Sequence, residues 1–300
     1  MSGTSWFESI RIAGTTEGPH VVITAGVHGD EFEPMAAVRD LGRRLTGNLH
    51  RGAVTLVPVV NEPAFRLGQR TAEDGLDLAR VCPGRQDGSV TERIAHDLAR
   101  LIRSADAYID LHTGGVRLTV LPLVGYMLHP NPEVLSIQRR MARAFGLDVI
   151  WGTSPDLNGR SLSVARDAAV PAIYAEYLGG GRFEPRAVEA YVRGCEQVLG
   201  ELGVVEPRDS GIGEPRLVIE DGSPGSGHMQ VQHPSPEDGF FQADVEPGIR
   251  VETGQLLGRL SDPTGRRVMP IVSERAGWVF VVRTFASVRR GDGLAVVVSD

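Results

Sequence analysis

Two stretches of the chain share one plan, and together they decide what it can fold into. Val21-Val22-Ile23-Thr24-Ala25-Gly26-Val27-His28-Gly29-Asp30-Glu31 opens with a β-branched run. It ends in a glycine-bearing turn that holds a histidine and a carboxylate three positions apart. Tyr108-Ile109-Asp110-Leu111-His112-Thr113-Gly114-Gly115 repeats the form, an apolar run closing on a histidine and glycines. A buried strand that runs into a glycine turn delivers side chains to the carboxyl edge of an open α/β sheet, where such sheets bind ligands. His28, Glu31 and His112 make an imidazole, carboxylate and imidazole set. That is the ligand set of a catalytic zinc that keeps one position for water. One histidine after a strand is more often a loop or capped core residue. The repeated strand-then-glycine form is what favours the metal reading.

The chain as far as about Val204 alternates strand and helix patterns. Residues 1–20 read as an edge strand and a turn. Pro34 to Leu45 reads as a helix with Met35, Val38, Leu41 and Leu45 on one face. Ala53 to Val60 is the near-continuous apolar run of a parallel strand covered on both sides. Residues 65–87 carry Gly, Arg and Asp without periodicity and read as a long loop. Ser89 starts a helix to Arg103, with Ile94, Leu98 and Leu101 in one stripe. Leu118 to Met127 is apolar again, Asn131 to Phe145 is helical and stops at Gly146, and Leu147 to Trp151 is a short strand. Ser161 to Ala169 reads as a short helix, Val170 to Glu176 as a strand entering Gly179-Gly180-Gly181, and Pro185 to Leu202 as a long helix. The alternation predicts a mostly parallel α/β sheet with helices on both faces.

The pattern then changes. Pro207 to Gly227 is rich in Pro, Gly and charge and reads as a linker or crossover. From Met229 onward come short alternating strands with turns and no helical period, so a small all-β module is expected. Its Pro247-Gly248 and Val251-x-x-Gly254-Gln255-x-Leu257-Gly258 turns resemble the biotinyl/lipoyl-type barrel-sandwich domain. The expected division is 1–206 for the catalytic domain and 207–300 for the linker and β domain.

Composition narrows the function classes. The formal charge of −7 argues against a general nucleic-acid or anionic-membrane binder. All 31 basic residues are arginine. A Schiff base or a biotinylated or lipoylated lysine is therefore impossible here, and the β module is read as a structural or gating attachment rather than a carrier. Cys82 and Cys195 lie far apart in no metal spacing, so a reducing, cytoplasmic setting is expected. The opening residues show no signal peptide, and no apolar run is long enough to span a bilayer.

Further groups carry candidate chemistry. Glu176 ends a strand before three glycines. It reads either as a cap or solvated loop carboxylate, or as the general base a zinc hydrolase needs. Arg66, Arg70, Arg80 and Arg85 lie on the long loop between the two zinc segments. A guanidinium there can stabilise an oxyanion or hold a carboxylate through two hydrogen bonds.

Taken together, the chain resembles the succinylglutamate desuccinylase/aspartoacylase family, which belongs with the zinc carboxypeptidases. The residues that carry the resemblance begin with Gly26-Val27-His28-Gly29-Asp30-Glu31, Asn61-x-x-Ala64-Phe65, Arg70 and Asp77-Leu78-Ala79-Arg80. They continue with Pro83-Gly84, Asp110-Leu111-His112-Thr113-Gly114-Gly115, and Glu176 before its glycines. The Asp-Leu-His-x-Gly-Gly and Glu-x-x-Gly-Gly-Gly forms look most like the bacterial branch that includes N-acetyl-diaminobutyrate deacetylase. The resemblance implies a zinc-carboxypeptidase-like sheet with a C-terminal barrel-sandwich-like domain, and one zinc on His28, Glu31 and His112. It implies Glu176 as general base and acid, Arg70 as the group polarising the scissile carbonyl, and Arg80 with Asn61 and position 79 on the substrate side. The family's Asp-Leu-Asn-Arg is here Asp77-Leu78-Ala79-Arg80, so a side chain that donates to the substrate carboxylate is replaced by a methyl group. The expected activity is zinc-dependent removal of an acyl group from a small N-acylated amino acid or amine, by a homo-oligomer. The competing readings are a metallocarboxypeptidase acting on peptides and a non-catalytic binding protein on the same scaffold.

Overall fold

The β-branched run at Val21 becomes the strand about which the first of two compact units is ordered. The structure, a computed structural model, describes residues 5–207, 211 and 213–299. Residues 1–4 of the expected opening strand region, and 208–210 and 212 of the expected linker, lie outside the described residues. The first unit comprises Met1–His112, Leu123–Ala175 and Phe183–Ser226; the second comprises Thr113–Pro122, Glu176–Arg182 and Gly227–Asp300.

In the first unit β2 (Thr16–Ala25) lies parallel to both β3 (Arg51–Val57) and β4 (Ala107–His112). The edge strand β1 (Ile10–Ala13) runs antiparallel along β3. Beyond β4 the order continues through β7 (Ala172–Gly179), β5 (Leu118–Met127), β6 (Val149–Thr153) and β8 (Leu217–Glu220). All six residues of β4 and all five of β6 are buried, as expected of parallel strands covered on both faces. The chain leaves β2 toward β3 on one side and returns to β4 on the other. The gap between the carboxyl ends of β2 and β4 is therefore a switch point of the sheet.

The helices form two packed groups. α1 (Phe32–Leu45) packs on α7 (Pro185–Glu201), which also packs on α5 (Pro132–Phe145). α4 (Val90–Arg103) packs on α6 (Ser161–Asp167) and on the short α3 (Leu78–Val81). The expected stripe of α1 is buried at Met35, Val38, Leu41 and Leu45. α4 opens with a capping box, in which Ser89 Oγ accepts from the Glu92 amide and Glu92 accepts from the Ser89 amide. α5 stops at Gly146 in the left-handed conformation.

Two expectations change. The stretch 65–87 is not one structureless loop: it holds the end of α2 (Glu62–Leu67) and all of α3. Both helices are too short to show a period, and their signal lies in the caps, Asn61 accepting from Ala64 N and Asp77 from Ala79 N. The Pro/Gly-rich stretch after 207 is not only a linker. Leu217–Glu220 forms β8, parallel to β6. Its last residue accepts from Tyr126 Oη at 2.6 Å and from Arg139 Nε and Nη2 at 2.8 and 2.6 Å.

The second unit contains no helix among its described residues. One sheet has the order β12 (Val268–Val272), β11 (Leu256–Ser261), β9 (Gly239–Ala243) and β14 (Ser287–Val288). In the other, β13 (Gly277–Arg283) pairs antiparallel with β10 (Arg250–Val251), β15 (Ala295–Val298) and the opening residues of β5. Val251, Val279 and Val297 pack with Leu257 between the sheets, which makes a small β-sandwich.

Gly29 bears directly on the placement of α2, because a Cβ there would lie 2.0 Å from Ala64 C and 2.2 Å from Phe65 N. Backbone cannot yield as a flexible side chain does. Gly29→Ala is expected to lower unfolding stability by about 1–3 kcal/mol in denaturant titration; unchanged stability would show that α2 moves aside. A second expectation concerns acid. The Arg139 fork and the Tyr126 hydroxyl, against the effect of burial, hold the Glu220 carboxyl below its ordinary 4.5. A carboxyl lowered on folding contributes stability above its unfolded value and loses it as pH falls through the folded value. The destabilisation by Glu220→Gln should therefore be full at neutral pH and shrink below about pH 4.5; a difference independent of pH would refute the ionic role.

Candidate functional site

The site begins where β2 and β4 end side by side. Ala25 pairs with Leu111, so the turn after β2 stands beside His112, the last residue of β4. Gly26 turns the chain out of β2 with a φ of 67°. Two positions on comes His28, and Glu31 follows as the N-cap residue of α1. Its carboxylate makes no cap hydrogen bond to the helix and turns to the histidines instead. A carboxylate at a helix N-terminus is favoured by the helix dipole.

His28, Glu31 and His112 converge, each offering a ligand atom within 4.8 Å of the others. They are 4%, 1% and 9% exposed. His28 Nδ1 lies 2.7 Å from Glu31 Oε1, and His112 Nδ1 lies 3.0 Å from Glu31 Oε2. On the outer side, His28 Nε2 lies 3.2 Å from Asp77 Oδ1, and His112 Nε2 lies 3.1 Å from Asp110 Oδ2. Each ring thus faces a carboxylate on both sides. A neutral imidazole can donate on one side only, so the inner side calls for a proton or a metal cation. Carboxylates behind metal-binding imidazoles are the usual outer support of such a centre. The donor set and its surroundings fit a cation held by these three residues.

The electrostatics agree. Burial works to raise the Glu31 carboxyl, but the two imidazoles override it and hold it well below the usual carboxylate range. Burial works to lower His112, and the charges of Asp110 and Glu31 outweigh it and raise that imidazole well above its ordinary value. The centre demands positive charge. Asp110 is itself buried and accepts from Thr24 Oγ1 at 2.8 Å and from Ser161 Oγ, the first residue of α6.

The arginines divide. Arg70 clamps Asp77 Oδ2 with Nε at 3.1 Å and Nη2 at 3.0 Å, and its Nη1 reaches to 3.8 Å from Glu31 Oε1. Arg80 is exposed on α3, its Nη1 donating to Ala79 O at 2.8 Å. Arg66 and Arg85 are exposed and pair with Glu62 and Asp87, so they act as solvated surface charges. Asn61 is fully buried as the cap of α2, and its Nδ2 meets no hydrogen-bond partner among the described residues. Ala79 is half-buried beside Arg80. Glu176 is buried on β7 and falls in the second unit, whereas His28, Glu31, His112, Arg70 and Arg80 fall in the first.

Three residues stand out that the motif reading left without a role. Asp77 and Asp110 back the two histidines. Arg160 follows Gly159, and a Cβ on Gly159 would lie 2.4 Å from Arg80 O, so the loop packs on the backbone of α3. Burial and the nearby charges of Arg80 and Arg70, opposed by Tyr174 and Asp77, bring the Arg160 guanidinium down to about 10. The signal was available: Arg160 lies on the loop that leaves β6 after Thr153, at the carboxyl end of a parallel strand.

Residues 17–202 match the family described as the succinylglutamate desuccinylase/aspartoacylase catalytic domain. The chain is 32% identical to N-alpha-acetyl-L-2,4-diaminobutyric acid deacetylase of Halomonas elongata, over 96% of this chain and 84% of that one. Among solved structures, the product-bound ectoine utilization protein EutE (DoeB) from Ruegeria pomeroyi is 27% identical with a TM-score of 0.87, covering 97% of this chain and 88% of that one. A succinylglutamate desuccinylase/aspartoacylase from Rhodobacter sphaeroides is also 27% identical, with a TM-score of 0.85 and coverage of 98% and 89%. The buried His-Glu-His centre at the switch point and the match through most of the catalytic fold lead to one conclusion: this chain belongs to the succinylglutamate desuccinylase/aspartoacylase family of deacylating hydrolases.

Proposed function

We propose that the protein is a zinc-dependent amidohydrolase that removes the acyl group from a small N-acylated amino acid or amine. The observation that carries this reading is the meeting of His28, Glu31 and His112, each imidazole turning Nδ1 to the shared carboxylate and Nε2 to a supporting aspartate. When bound there, one zinc per chain supplies Lewis-acid polarisation of the amide carbonyl and lowers the pKa of water toward ~7.

The chain's own residues do the rest. Glu176 takes a proton from the attacking water and returns it to the leaving amine. Arg70, oriented by Asp77, stabilises charge on the scissile carbonyl oxygen. Arg80 and Arg160 attract a carboxylate of the substrate, which relieves their mutual repulsion; Asn61 and Ala79 belong to the same side of the site. The Halomonas elongata relative is by name a deacetylase of N-alpha-acetyl-L-2,4-diaminobutyric acid. A small acetylated amino acid is accordingly the first substrate class to test. Ala79 leaves room where the family motif has Asn, which suits a bulkier or less charged group at that point. Buried free thiols at Cys82 and Cys195 suit a cytoplasmic enzyme. No described helix is long and apolar enough to cross a membrane.

Protein purified without added metal should carry about one zinc per chain by elemental analysis, and His112→Ala should lose it. Full occupancy in that variant would remove His112 from the ligand set. In a screen of N-acetyl, N-succinyl and N-formyl amino acids, Glu176→Gln should keep the zinc and lower kcat by at least ~10² on the best substrate. Loss of zinc with little change in kcat would make Glu176 a ligand and refute its role as base.

A further inference from the structure

Resting on the proposed zinc hydrolase, we infer that Tyr191 is a positioning residue for His112, and that α7 sets the separation of the two segments that carry the metal ligands. Hydrogen bonds from both segments meet on this one helix. The Tyr191 hydroxyl donates to the backbone carbonyl oxygen of His112. Glu33, two residues beyond Glu31 in the first turn of α1, accepts through Oε1 the amide of Glu184 at 3.2 Å. Glu184 is the N-cap residue of α7, and its own side chain makes no cap hydrogen bond to the helix.

Ala187, Tyr191, Cys195 and Val198 recur at helical spacing along α7 and are all buried, Tyr191 completely. A hydroxyl in such a stripe needs a partner, and here it reaches the carbonyl of a candidate metal ligand. The bond falls where the sheet gives out. β2 pairs with β4 as far as Ala25 and Leu111 and then turns away at Gly26, so on that side the ladder stops one residue short of His112. Ends of this kind are where structure opens locally. Holding the His112 carbonyl fixes its peptide plane, and with it the direction from which the imidazole starts. Glu31 enters the centre from α1, and Glu33, 2% exposed, ties that helix to the start of α7. Glu184 and Tyr191 lie seven positions apart, so about 10 Å of rigid helix spans the two attachments. A functional constellation needs its members held to within about 0.5 Å. One helix tied to both segments meets that need for the 3.0 Å approach of His112 Nδ1 to Glu31 Oε2.

Tyr191→Phe removes the hydroxyl and keeps the ring. Its zinc affinity, measured by competition with a chromophoric chelator, should fall about 10-fold, the lower end of the effect of losing support around a metal ligand. Val198→Ala on the same helix should lower stability and leave zinc affinity unchanged, because neither attachment passes through it. Glu33→Gln keeps an oxygen that accepts the Glu184 amide and should bind zinc as the wild type does, whereas Glu33→Ala should weaken binding about 10-fold. Wild-type affinity in Tyr191→Phe would overturn the role of Tyr191. Wild-type affinity in Glu33→Ala, or equal losses in Glu33→Ala and Glu33→Gln, would overturn α7 as the common anchor. An equal loss in Val198→Ala would reduce the effect to stability and overturn both. Should Tyr191→Phe fail to fold, the two Glu33 variants decide the inference by the same comparison. If wild-type protein takes up no zinc, the proposed hydrolase falls. Crystal structures of metal-free wild type and Tyr191→Phe then decide the positioning role, a displaced His112 ring upholding it and an unmoved ring overturning it.

Discussion

A carboxylate that is almost wholly removed from water stands between two imidazoles, and much of the first unit can be read as the means of keeping it there. Burying Glu31 as an anion carries a desolvation cost of several kcal/mol unless positive charge meets it. The histidines meet it from two different segments, one on the turn after β2 and one at the end of β4. The aspartates behind them enforce the direction in which each ring presents itself. The centre is therefore a nested arrangement of alternating charge, with the inner carboxylate, the imidazoles and the outer carboxylates each depending on the next.

The outer carboxylates also connect the centre to the surrounding segments. Asp77 caps α3, which carries Arg80, and holds Arg70. Asp110 holds Ser161, next to Arg160. Positively charged side chains are thus anchored to the same groups that orient the histidines. Burial first, and then the charge of Arg70, lower the affinity of Arg80 for its proton, and burial with the charges of Arg80 and Arg70 does the same at Arg160. Such crowding of like charge is unfavourable in a resting protein and is expected where an anion is to be received.

The features legible in the sequence were those written in local pattern. β-Branched runs at Val21 and Tyr108, the stripe Met35, Val38, Leu41 and Leu45, and the stop at Gly146 each declare an element without help from the rest of the chain. The three candidate metal ligands were legible for the same reason, since each follows or ends a recognisable strand. What was not legible depends on partners distant in sequence. Asp77 reads as one polar residue of an aperiodic stretch until His28 and Arg70 are seen against it. Asp110 reads as a polar residue inside a strand until Thr24 and Ser161 close around it. β8 was hidden because Leu217-Val218-Ile219-Glu220 is short and set among prolines and glycines, and its identity comes from pairing with β6.

The pairing of Ala25 with Leu111 has a bearing on how such a centre tolerates change. Side chains alternate across a strand, so Asp110 and His112 share one face of β4 while Leu111 takes the other. A slip of one residue between β2 and β4 would exchange these faces, sending the histidine and its supporting aspartate away together and bringing a leucine forward. Insertions and deletions within β4 are therefore excluded in a way that substitutions are not. Length variation among proteins that keep this centre should collect in the connections outside β2 and β4, leaving the alignment of the two strands as the measuring rule of the site.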